Sequence, residues 1–418
     1  MNQMSWTPLG PPSPPPLPAP APLPVSFSGE RGEFRRLATR GAGLELITAG
    51  FYRFWLATDI RRHLWLNTLI DGDAAEYTGR ARELLIGFLF ALAILVPIYL
   101  AYFIVGLEAE RFKAFASLPL FLFFYLFGQF AIYRARRYRL TRTVWRGLRF
   151  WMSGSGWAYA ARAALWGILM LLTVGLILPW REAALERYKM RHCHYGDLQG
   201  SFVGRGWEFF KRGWWLWLLM AVPLSVVAVV LPLTRSVPAL MPFAKTATLV
   251  AGVVGFLIPV LAPFIYGLFK AVEWRWWLSG IRFGAVRLES ALLRGALVGL
   301  YWKVIGWFLL LIVLFSAYVF ACAGVVASIS QTPIAKLFAP ANLQGSVPMI
   351  VLAGVGYLAF VLALNVVLRV YLQRDVWARV LGSATVHHIE AVANISARGD
   401  LASALGEGFA DGLDIVGF

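Results

Sequence analysis

Six runs of residues without a charged side chain constrain most strongly what this chain can fold into. They are Leu84–Gly106, Ser117–Tyr133, Trp214–Leu233, Ala247–Phe269, Val304–Ser328 and Pro348–Leu368. Each run is close to the length of about 20 apolar residues that a helix needs to cross a bilayer. A segment in lipid must satisfy its own backbone hydrogen bonds, which favours helices. We therefore predict six transmembrane helices, in agreement with 59% hydrophobic and only 15% charged residues.

Two further segments are apolar, but their hydropathy does not decide whether they cross the membrane. Segment 41–57 contains Glu45 and Arg53, whereas segment 163–180 has 18 residues without a charge. Counting one or both would give seven or eight crossings. With six crossings, the eight arginines of region 134–162 lie on the same side as both termini, as the positive-inside rule requires. We therefore predict interfacial or re-entrant helices at both segments, and both termini in the cytoplasm.

The sequence repeats itself at an offset of 125 positions. Thr48, Gly50, Trp55, Arg62, Gly79 and Glu83 recur as Thr173, Gly175, Trp180, Arg187, Gly204 and Glu208. Identities at one fixed offset indicate an internal repeat. With the six runs, they predict membrane repeats at 26–150, 151–283 and 284–418, of which the third is the most degraded and ends in a cytoplasmic tail.

The predicted fold class is an all-α polytopic membrane protein. Its six transmembrane helices form three degenerate hairpin repeats, with two extra interfacial or re-entrant helices and short cytoplasmic β-hairpins. Residues 1–25 are predicted to be a disordered leader, because ten prolines between Pro8 and Pro24 exclude a helix and favour polyproline II. The leader is compatible with an inert tether and with a docking peptide for an aromatic groove.

A shorter motif on the water-facing side pairs an arginine with a threonine or cysteine six residues later. It occurs at Arg62/Thr68, Arg137/Thr143, Arg187/Cys193 and Arg379/Thr385. In the first three copies a glycine follows within four residues, which predicts a short β-hairpin, and Gly280–Phe283 is a weaker copy. Two interpretations are open. Each arginine anchors its helix at the lipid phosphates, or the four converge into a cup for an anionic solute or lipid headgroup.

Candidate chemical groups within the apolar segments are few. Glu45 and Arg53 lie about two helical turns apart and are a possible buried pair if segment 41–57 is re-entrant. Tryptophans near the ends of the runs are expected to form an interfacial belt. Those considered are Trp145, Trp151, Trp180, Trp214, Trp215, Trp276 and Trp277.

The histidines and cysteines do not have the spacing of a metal site. His192-Cys193-His194 and His387-His388 provide neither an i, i+4 helical face nor a C-x-x-C pair. The sequence has no phosphate-binding loop and no nucleophile elbow. We therefore expect no metal, no cofactor and no enzymatic activity. The net charge of +17 predicts contact with the anionic headgroups of the lipid bilayer and not with nucleic acid, since no basic run stands apart from the apolar segments.

Several motifs together support a family resemblance. They are Phe27-Ser28-Gly29, the block Thr48–Trp55, Arg62 with Thr68, Tyr77-Thr78-Gly79 with Glu83, and the ending Gly406–Asp414. With these motifs, residues 26–418 resemble the YjgN-like family of bacterial inner-membrane proteins, a domain of unknown function. The resemblance implies a bacterial inner (cytoplasmic) membrane and no established activity. The chain departs from the family at Ala49, where leucine is more frequent.

The function that these observations favour is a transporter-like or channel-like component for an anionic or amphiphilic solute. The nearly uncharged runs argue against a carrier coupled to protons or sodium ions. The alternative is a lipid-interacting envelope or scaffold protein that transports nothing. The sequence indicates neither protein partners nor an oligomeric state.

Overall fold

The computed structural model describes residues 22–108, 113–331, 333–337, 347–399 and 401–402. Its helices are α1 (Arg31–Ile47), α2 (Arg53–Leu66), α3 (Ala81–Glu108), α4 (Lys113–Thr141), α5 (Gly156–Leu172), α6 (Leu178–Arg191), α7 (Gly206–Ser225), α8 (Leu231–Ser236), α9 (Ala244–Gly280), α10 (Val298–Ser330), α11 (Ile334–Leu337), α12 (Val347–Leu368) and α13 (Val376–Leu381). The leader up to residue 21 and the motif Gly406–Asp414 lie outside the described residues.

Within the described residues, five helical stretches are long and apolar enough to cross a membrane. They are Ala81–Ile104, Gly206–Thr234, Pro238–Gly280, Val298–Ser330 and Val347–Leu381. These stretches contain or largely overlap five of the six uncharged runs. The sixth run, 117–133, lies within α4, which has 29 residues. The five apolar helices agree with the predicted class of membrane protein.

In the described part of the chain, ten short strands form one closed antiparallel barrel. They are β1 (Leu23–Phe27), β2 (Thr68–Ile70), β3 (Asp73–Tyr77), β4 (Thr143–Trp145), β5 (Leu148–Met152), β6 (Cys193–Tyr195), β7 (Leu198–Phe202), β8 (Ile281–Phe283), β9 (Val286–Ser290) and β10 (Ala384–His387). Each strand pairs with the next along the chain, and β1 pairs with β10. The predicted all-α fold class is therefore wrong. A separate short hairpin leaves two strand edges unpaired, and closure into a barrel removes every edge.

The tight turns of the barrel explain why its hairpins could be predicted locally. Asp71 and Gly72 have φ angles of 54° and 81°, and Arg146 and Gly147 have φ angles of 47° and 74°. Two successive positive φ angles define the type I′ turn that fits the twist of a two-residue hairpin. The weaker copy at Gly280–Phe283 contributes β8, which pairs with β9. The local prediction of β-hairpins is therefore correct, but the sequence did not predict that they assemble into one barrel.

The chain ends meet in the barrel wall. Strand β1 begins at Leu23, inside the stretch assigned to the disordered leader, and Pro24 lies opposite Thr385 of β10. Residues 23–25 of that stretch therefore belong to a strand of the barrel. Because β1 and β10 are neighbours, the N-terminal and C-terminal parts of the described chain reach the same side of the molecule.

The interior of the barrel is filled with apolar side chains. Val25, Trp145, Tyr195, Val286 and Val386 come from five different strands and pack in one buried cluster. The Tyr195 hydroxyl donates to the Trp145 carbonyl oxygen at 2.9 Å. The barrel is therefore a packed core and not an open pore, as expected when strands enclose large side chains.

Five connections leave the barrel and return to it. Three contain long helices: α3 with α4, α7 through α9, and α10 through α13. The other two are short helical hairpins, α1/α2 and α5/α6, which alternate with the first two long connections. Segments 41–57 and 163–180 are the tips of these hairpins. Each is therefore broken into two helices by a turn.

The two hairpin tips are exposed and have the same turn geometry. At the first tip, the backbone N–H of Tyr52 donates to Thr48 Oγ1 at 2.9 Å, and at the second, that of Ile177 donates to Thr173 Oγ1 at 3.3 Å. Apolar residues at both tips are exposed: Phe51 retains 54% and Leu171 retains 80% of its accessible surface. Such a surface suits contact with lipid.

Candidate functional site

A cavity of about 310 Å³ lies where four helices reach the barrel, and we call it the chamber. It is lined by Trp65, Arg136, Arg139, Leu140, Thr143, Trp274, Trp277, Leu278, Ile281, Leu288, Trp377, Val380 and Leu381. The helices are α2, α4, α9 and α13, whose last turns precede strands β2, β4, β8 and β10. The barrel thus brings together residues that are more than 300 positions apart in the sequence.

Four tryptophans provide most of the aromatic surface of the chamber. Trp65 and Trp377 stack with ring centroids 4.9 Å apart, and Trp274 meets Trp277 edge to face at 5.4 Å. The indole N–H of Trp65 donates to Thr143 Oγ1, and that of Trp377 donates to Thr68 Oγ1, both at 3.0 Å. These bonds satisfy the two indole donors and hold the rings in position.

A buried ion-pair network fixes one of the two arginines that line the chamber. Arg136 donates to both carboxylate oxygens of Glu186, at 3.0 and 3.2 Å, and Lys189 also pairs with Glu186. The side chain of Glu186 is only 8% exposed. Two cations share one carboxylate, so the network carries a net positive charge. The guanidinium carbon of Arg136 lies 5.8 Å from the centroid of the Trp277 ring.

The protonation of this network follows from its geometry. Burial alone would raise the pKa of Glu186, but Arg136 and Lys189 outweigh burial and lower the pKa to about 2. Burial lowers the pKa of Lys189, and Glu186 outweighs it and raises that pKa. All three groups are therefore ionised at neutral pH.

The chamber combines a positive charge with an apolar wall. Arg136 and Arg139 are its cations, and within the described part of the chain no carboxylate lines it. On the barrel side, Ile281 and Leu288 line it, and Leu288 also packs against the cluster that fills the barrel. A group with an anionic head and an apolar body matches this environment.

The four arginines predicted to anchor helices or form a cup do not line the chamber. Arg62 donates to the Gly79 carbonyl oxygen at 3.0 Å and lies 3.9 Å from Asp59, and Arg379 donates to the Ala296 carbonyl oxygen. Arg187 is exposed. The Arg137 Nε is buried without a hydrogen-bond partner. The structure does not bring the four together at the chamber.

The possible pair of Glu45 and Arg53 is replaced by other contacts. Glu45 accepts a hydrogen bond from Arg369 at 2.8 Å. The Arg53 guanidinium lies over the rings of Phe54 and Phe88, 5.1 and 5.4 Å from their centroids. Glu45 therefore links the α1/α2 hairpin to the residue that directly follows α12.

Sequence reasoning missed the residues that line the chamber. Arg136 is the immediate neighbour of the selected Arg137, and Arg139 lies three residues after Arg136, so the two share a helical face. A pattern of i, i+3 arginines followed by Leu140 would have been the available signal. Of the tryptophans expected in an interfacial belt, Trp145 lies in the barrel core, Trp276 is buried, and Trp277 lines the chamber.

The described residues contain no group of three histidine, cysteine or acidic side chains that could hold a metal ion. Cys193 is buried in the barrel wall, and burial raises the pKa of its thiol to about 11. His194 stacks on Trp151 at 4.1 Å between ring centroids. Packing therefore accounts for the positions of both residues.

Comparisons with known proteins give one match. A family model described as "Bacterial protein of unknown function (DUF898)" matches residues 22–411. Neither the curated proteins nor the solved structures contain a match to the chain. The matched range begins beside β1 and extends beyond β10, so it includes the whole barrel.

Proposed function

The chain belongs to the bacterial family of unknown function DUF898, and for this member we propose a transporter-like role in which the chamber binds an amphiphilic anion. The resemblance to the YjgN-like family is confirmed by the same match. In this proposal the anion passes between the bilayer and the chamber without chemical change, and the protein is not an enzyme.

The observation that carries the proposal is the composition of the chamber wall. Guanidinium groups form charge-assisted, often bidentate hydrogen bonds with carboxylates and phosphates. Indole rings offer a large apolar surface to an alkyl chain. Arg136 and Arg139 beside four tryptophans therefore select a ligand that has both features. The volume of about 310 Å³ lies within the range of small-ligand pockets.

The packed barrel favours a binding step over an open channel. Side chains of Trp145, Tyr195 and Val286 fill the space on the barrel side of the chamber. An open pathway for a hydrated solute would require these residues to move apart. A ligand that partitions into the bilayer can instead approach the chamber between helices. We therefore propose a carrier-like role and not a channel-like one.

We place the protein in the bacterial inner membrane, with the barrel and both chain ends on the cytoplasmic side. Strands β1, β4, β5 and β10 share the barrel, so the arginine-rich region 134–162 and the two ends of the described chain lie on one side. Basic segments remain in the cytoplasm. This arrangement supports six crossings, with α1/α2 and α5/α6 as re-entrant hairpins.

The proposal is tested with amphiphiles that share an alkyl chain and differ in head charge. Purified protein in nanodiscs is titrated with dodecanoate, dodecyltrimethylammonium or dodecyl maltoside below their micellar concentrations, and quenching of tryptophan fluorescence reports binding. Because hydrogen bonds to charged groups contribute about 1.5–3 kcal/mol, dodecanoate should bind at least about tenfold more tightly than the other two. Equal binding of all three would contradict an anion-selective chamber.

A pair of variants tests whether dodecanoate binds in the chamber. Arg139→Gln should weaken dodecanoate binding by about tenfold, because it removes a cation from the wall. Arg187→Gln removes the same charge from an exposed position outside the chamber and should leave the affinity unchanged. Equal loss in both variants would indicate a general effect of net charge.

The alternative, a lipid-interacting protein without transport, is favoured by a second cavity. An apolar crevice of about 340 Å³ lies beside the α5/α6 tip, between α7 and α9. It is lined by Gly175, Leu176, Leu178, Pro179, Phe209, Phe210, Gly213, Trp214, Leu216, Trp217, Met220, Ala262, Ile265, Tyr266 and Phe269. Flux of dodecanoate into proteoliposomes separates the two functions. Binding without protein-dependent flux would favour the alternative.

A further inference from the structure

We infer that Arg212, Arg275 and Arg294 form a second anion site, which binds the phosphate of an anionic phospholipid at the headgroup layer. The three side chains line a cavity of about 190 Å³ that is separate from the chamber. Its other walls are Ala271, Val272 and Leu292. The site does not depend on the proposed transport of an amphiphile.

The three arginines come from different elements and converge on one cavity. Arg212 lies in α7, Arg275 lies in α9, and Arg294 lies in the segment between β9 and α10. All three are exposed. Within the described residues, no carboxylate lines this cavity. Three like charges around one space repel each other, and an anion between them removes that repulsion.

This cavity occurs where the third repeat differs from the other two. After β1 and β5 the chain forms a short helical hairpin, α1/α2 or α5/α6, before it continues. After β9 it forms only the segment 291–297, with a turn at residues 294–297, and α10 begins at Val298. No two-helix hairpin covers this part of the described barrel. The basic cavity is therefore accessible from the direction that the hairpins occupy elsewhere.

Arg275 has the same spacing from the strand that follows it as the motif arginines have from theirs. It lies six residues before Ile281, which begins β8, as Arg62 lies six residues before Thr68, which begins β2. Arg62 donates to the carbonyl oxygen of Gly79, just after its hairpin. The segment after β9 is held instead by Arg379, which donates to Ala296. Arg275 is thereby available to line the cavity with two further arginines.

A phospholipid fits the surroundings better than a free anion. Arg212 lies two residues before Trp214, which begins an uncharged run and is 47% exposed. The arginines thus lie at the level where lipid phosphates meet the hydrocarbon. Arginine forms two parallel hydrogen bonds with a phosphate group. The acyl chains can lie along the exposed apolar faces of α7 and α9.

The test compares retained lipid in variants with equal loss of charge. Protein reconstituted with phosphatidylglycerol and phosphatidylcholine is re-extracted, and native mass spectrometry measures the phosphatidylglycerol bound per protein. The triple variant R212Q/R275Q/R294Q should retain on the order of tenfold less phosphatidylglycerol than the wild type. The control R35Q/R36Q/R40Q removes three exposed arginines from α1 and should retain the wild-type amount. Equal retention in both triple variants would overturn the site.

Two additional measurements keep the result interpretable. The single variant Arg294→Gln alters a turn outside the helices, so it reports on the site if the triple variant does not fold. It should lower phosphatidylglycerol retention several-fold at an unchanged melting temperature. In a competition, inorganic phosphate should displace phosphatidylglycerol only weakly. Complete displacement by inorganic phosphate, or retention of phosphatidylcholine equal to that of phosphatidylglycerol, would overturn the assignment to an anionic lipid.

Discussion

The helical hairpins α1/α2 and α5/α6 have the same tip and different ends. At both tips a threonine hydroxyl accepts from the backbone N–H four residues later, and the second residue after the threonine is a glycine with a positive φ, 89° at Gly50 and 81° at Gly175. At the barrel end, the residue before the motif arginine is Arg61 in α2 and Glu186 in α6. The two hairpins therefore share the backbone geometry of their tips and differ in charge at their barrel ends.

This difference shows where the asymmetry of the chamber originates. Arg61 lies against Tyr77, with 3.3 Å between the Arg61 Nη1 and the tyrosine hydroxyl. Glu186 instead binds Arg136 of α4 and Lys189. The acidic residue in the second hairpin thus fixes an arginine at the chamber wall, whereas the basic residue in the first hairpin donates to a tyrosine. The positions that the two hairpins share shape their tips, whereas the position at which they differ shapes the wall of the chamber.

The largest effect is expected from removal of the carboxylate in the second hairpin. Glu186→Gln leaves Arg136 and Lys189 buried without a counter-charge, which should lower the free energy of unfolding by about 3–5 kcal/mol. Chemical denaturation in detergent measures the loss. In the first hairpin, Asp59→Asn affects an ion pair of 3.9 Å with half-exposed side chains and should cost less than about 1 kcal/mol. Equal costs would remove the contrast between the two hairpins.

The pH dependence of the same variant sharpens the comparison. Glu186 has a folded pKa of about 2 against an ordinary value of 4.5, so its contribution to stability is complete above 4.5 and is lost as the pH falls towards 2. The stability difference between the wild type and Glu186→Gln should therefore stay constant from about pH 8 to about pH 5 and decrease below about pH 4. A difference that already decreases between about pH 7 and about pH 5 would contradict the lowered pKa.

Much of the fold was accessible from the sequence because it rests on local patterns. Uncharged runs predicted the apolar helices, and glycines such as Gly72 and Gly147 predicted the hairpin turns. The closed barrel was not accessible in this way. It depends on pairing between β1 and β10, strands that lie at opposite ends of the chain, and neither strand alone contains a signal for its partner.

The chamber was missed for a related reason. The sequence motif selected Arg137 because its position recurs, whereas the residue that faces inwards is Arg136. The position before the corresponding arginine carries arginine, glutamate, tryptophan or alanine elsewhere in the chain. A search for residues that recur along the chain finds those that each strand hairpin needs for folding. Groups that make one binding site asymmetric do not recur, and only the closed barrel brings Trp65, Arg136 and Trp377 together.

A smaller effect is expected at the glycines of the two tips. Gly50→Ala and Gly175→Ala force alanine into a positive φ and should each cost about 1 kcal/mol. A Cβ at Gly50 would meet nothing within 4 Å, and one at Gly175 would meet only Trp217 Nε1 at 3.9 Å, so backbone strain alone should act. Equal shifts in melting temperature in the two variants would support equivalent tips, and clearly unequal shifts would show that the tips differ. Gly43→Ala, at an open position within α1, is the control and should stabilise the protein slightly.

The smallest effect is expected at the motif arginines of the two hairpins. Arg62→Lys loses the hydrogen bond to Gly79 from a half-exposed side chain and should cost at most about 1 kcal/mol. Arg187→Lys alters an exposed residue and should have no measurable effect on the melting temperature. Lysine also reaches the headgroup layer, so simple anchoring survives both changes, whereas a shared anion cup needs the planar guanidinium at each position. The amount of co-purifying anionic lipid therefore distinguishes the two interpretations. If the arginines only anchor helices, this amount stays unchanged in both variants. An equal loss of lipid in both variants, at an unchanged melting temperature, would instead support a shared anion cup.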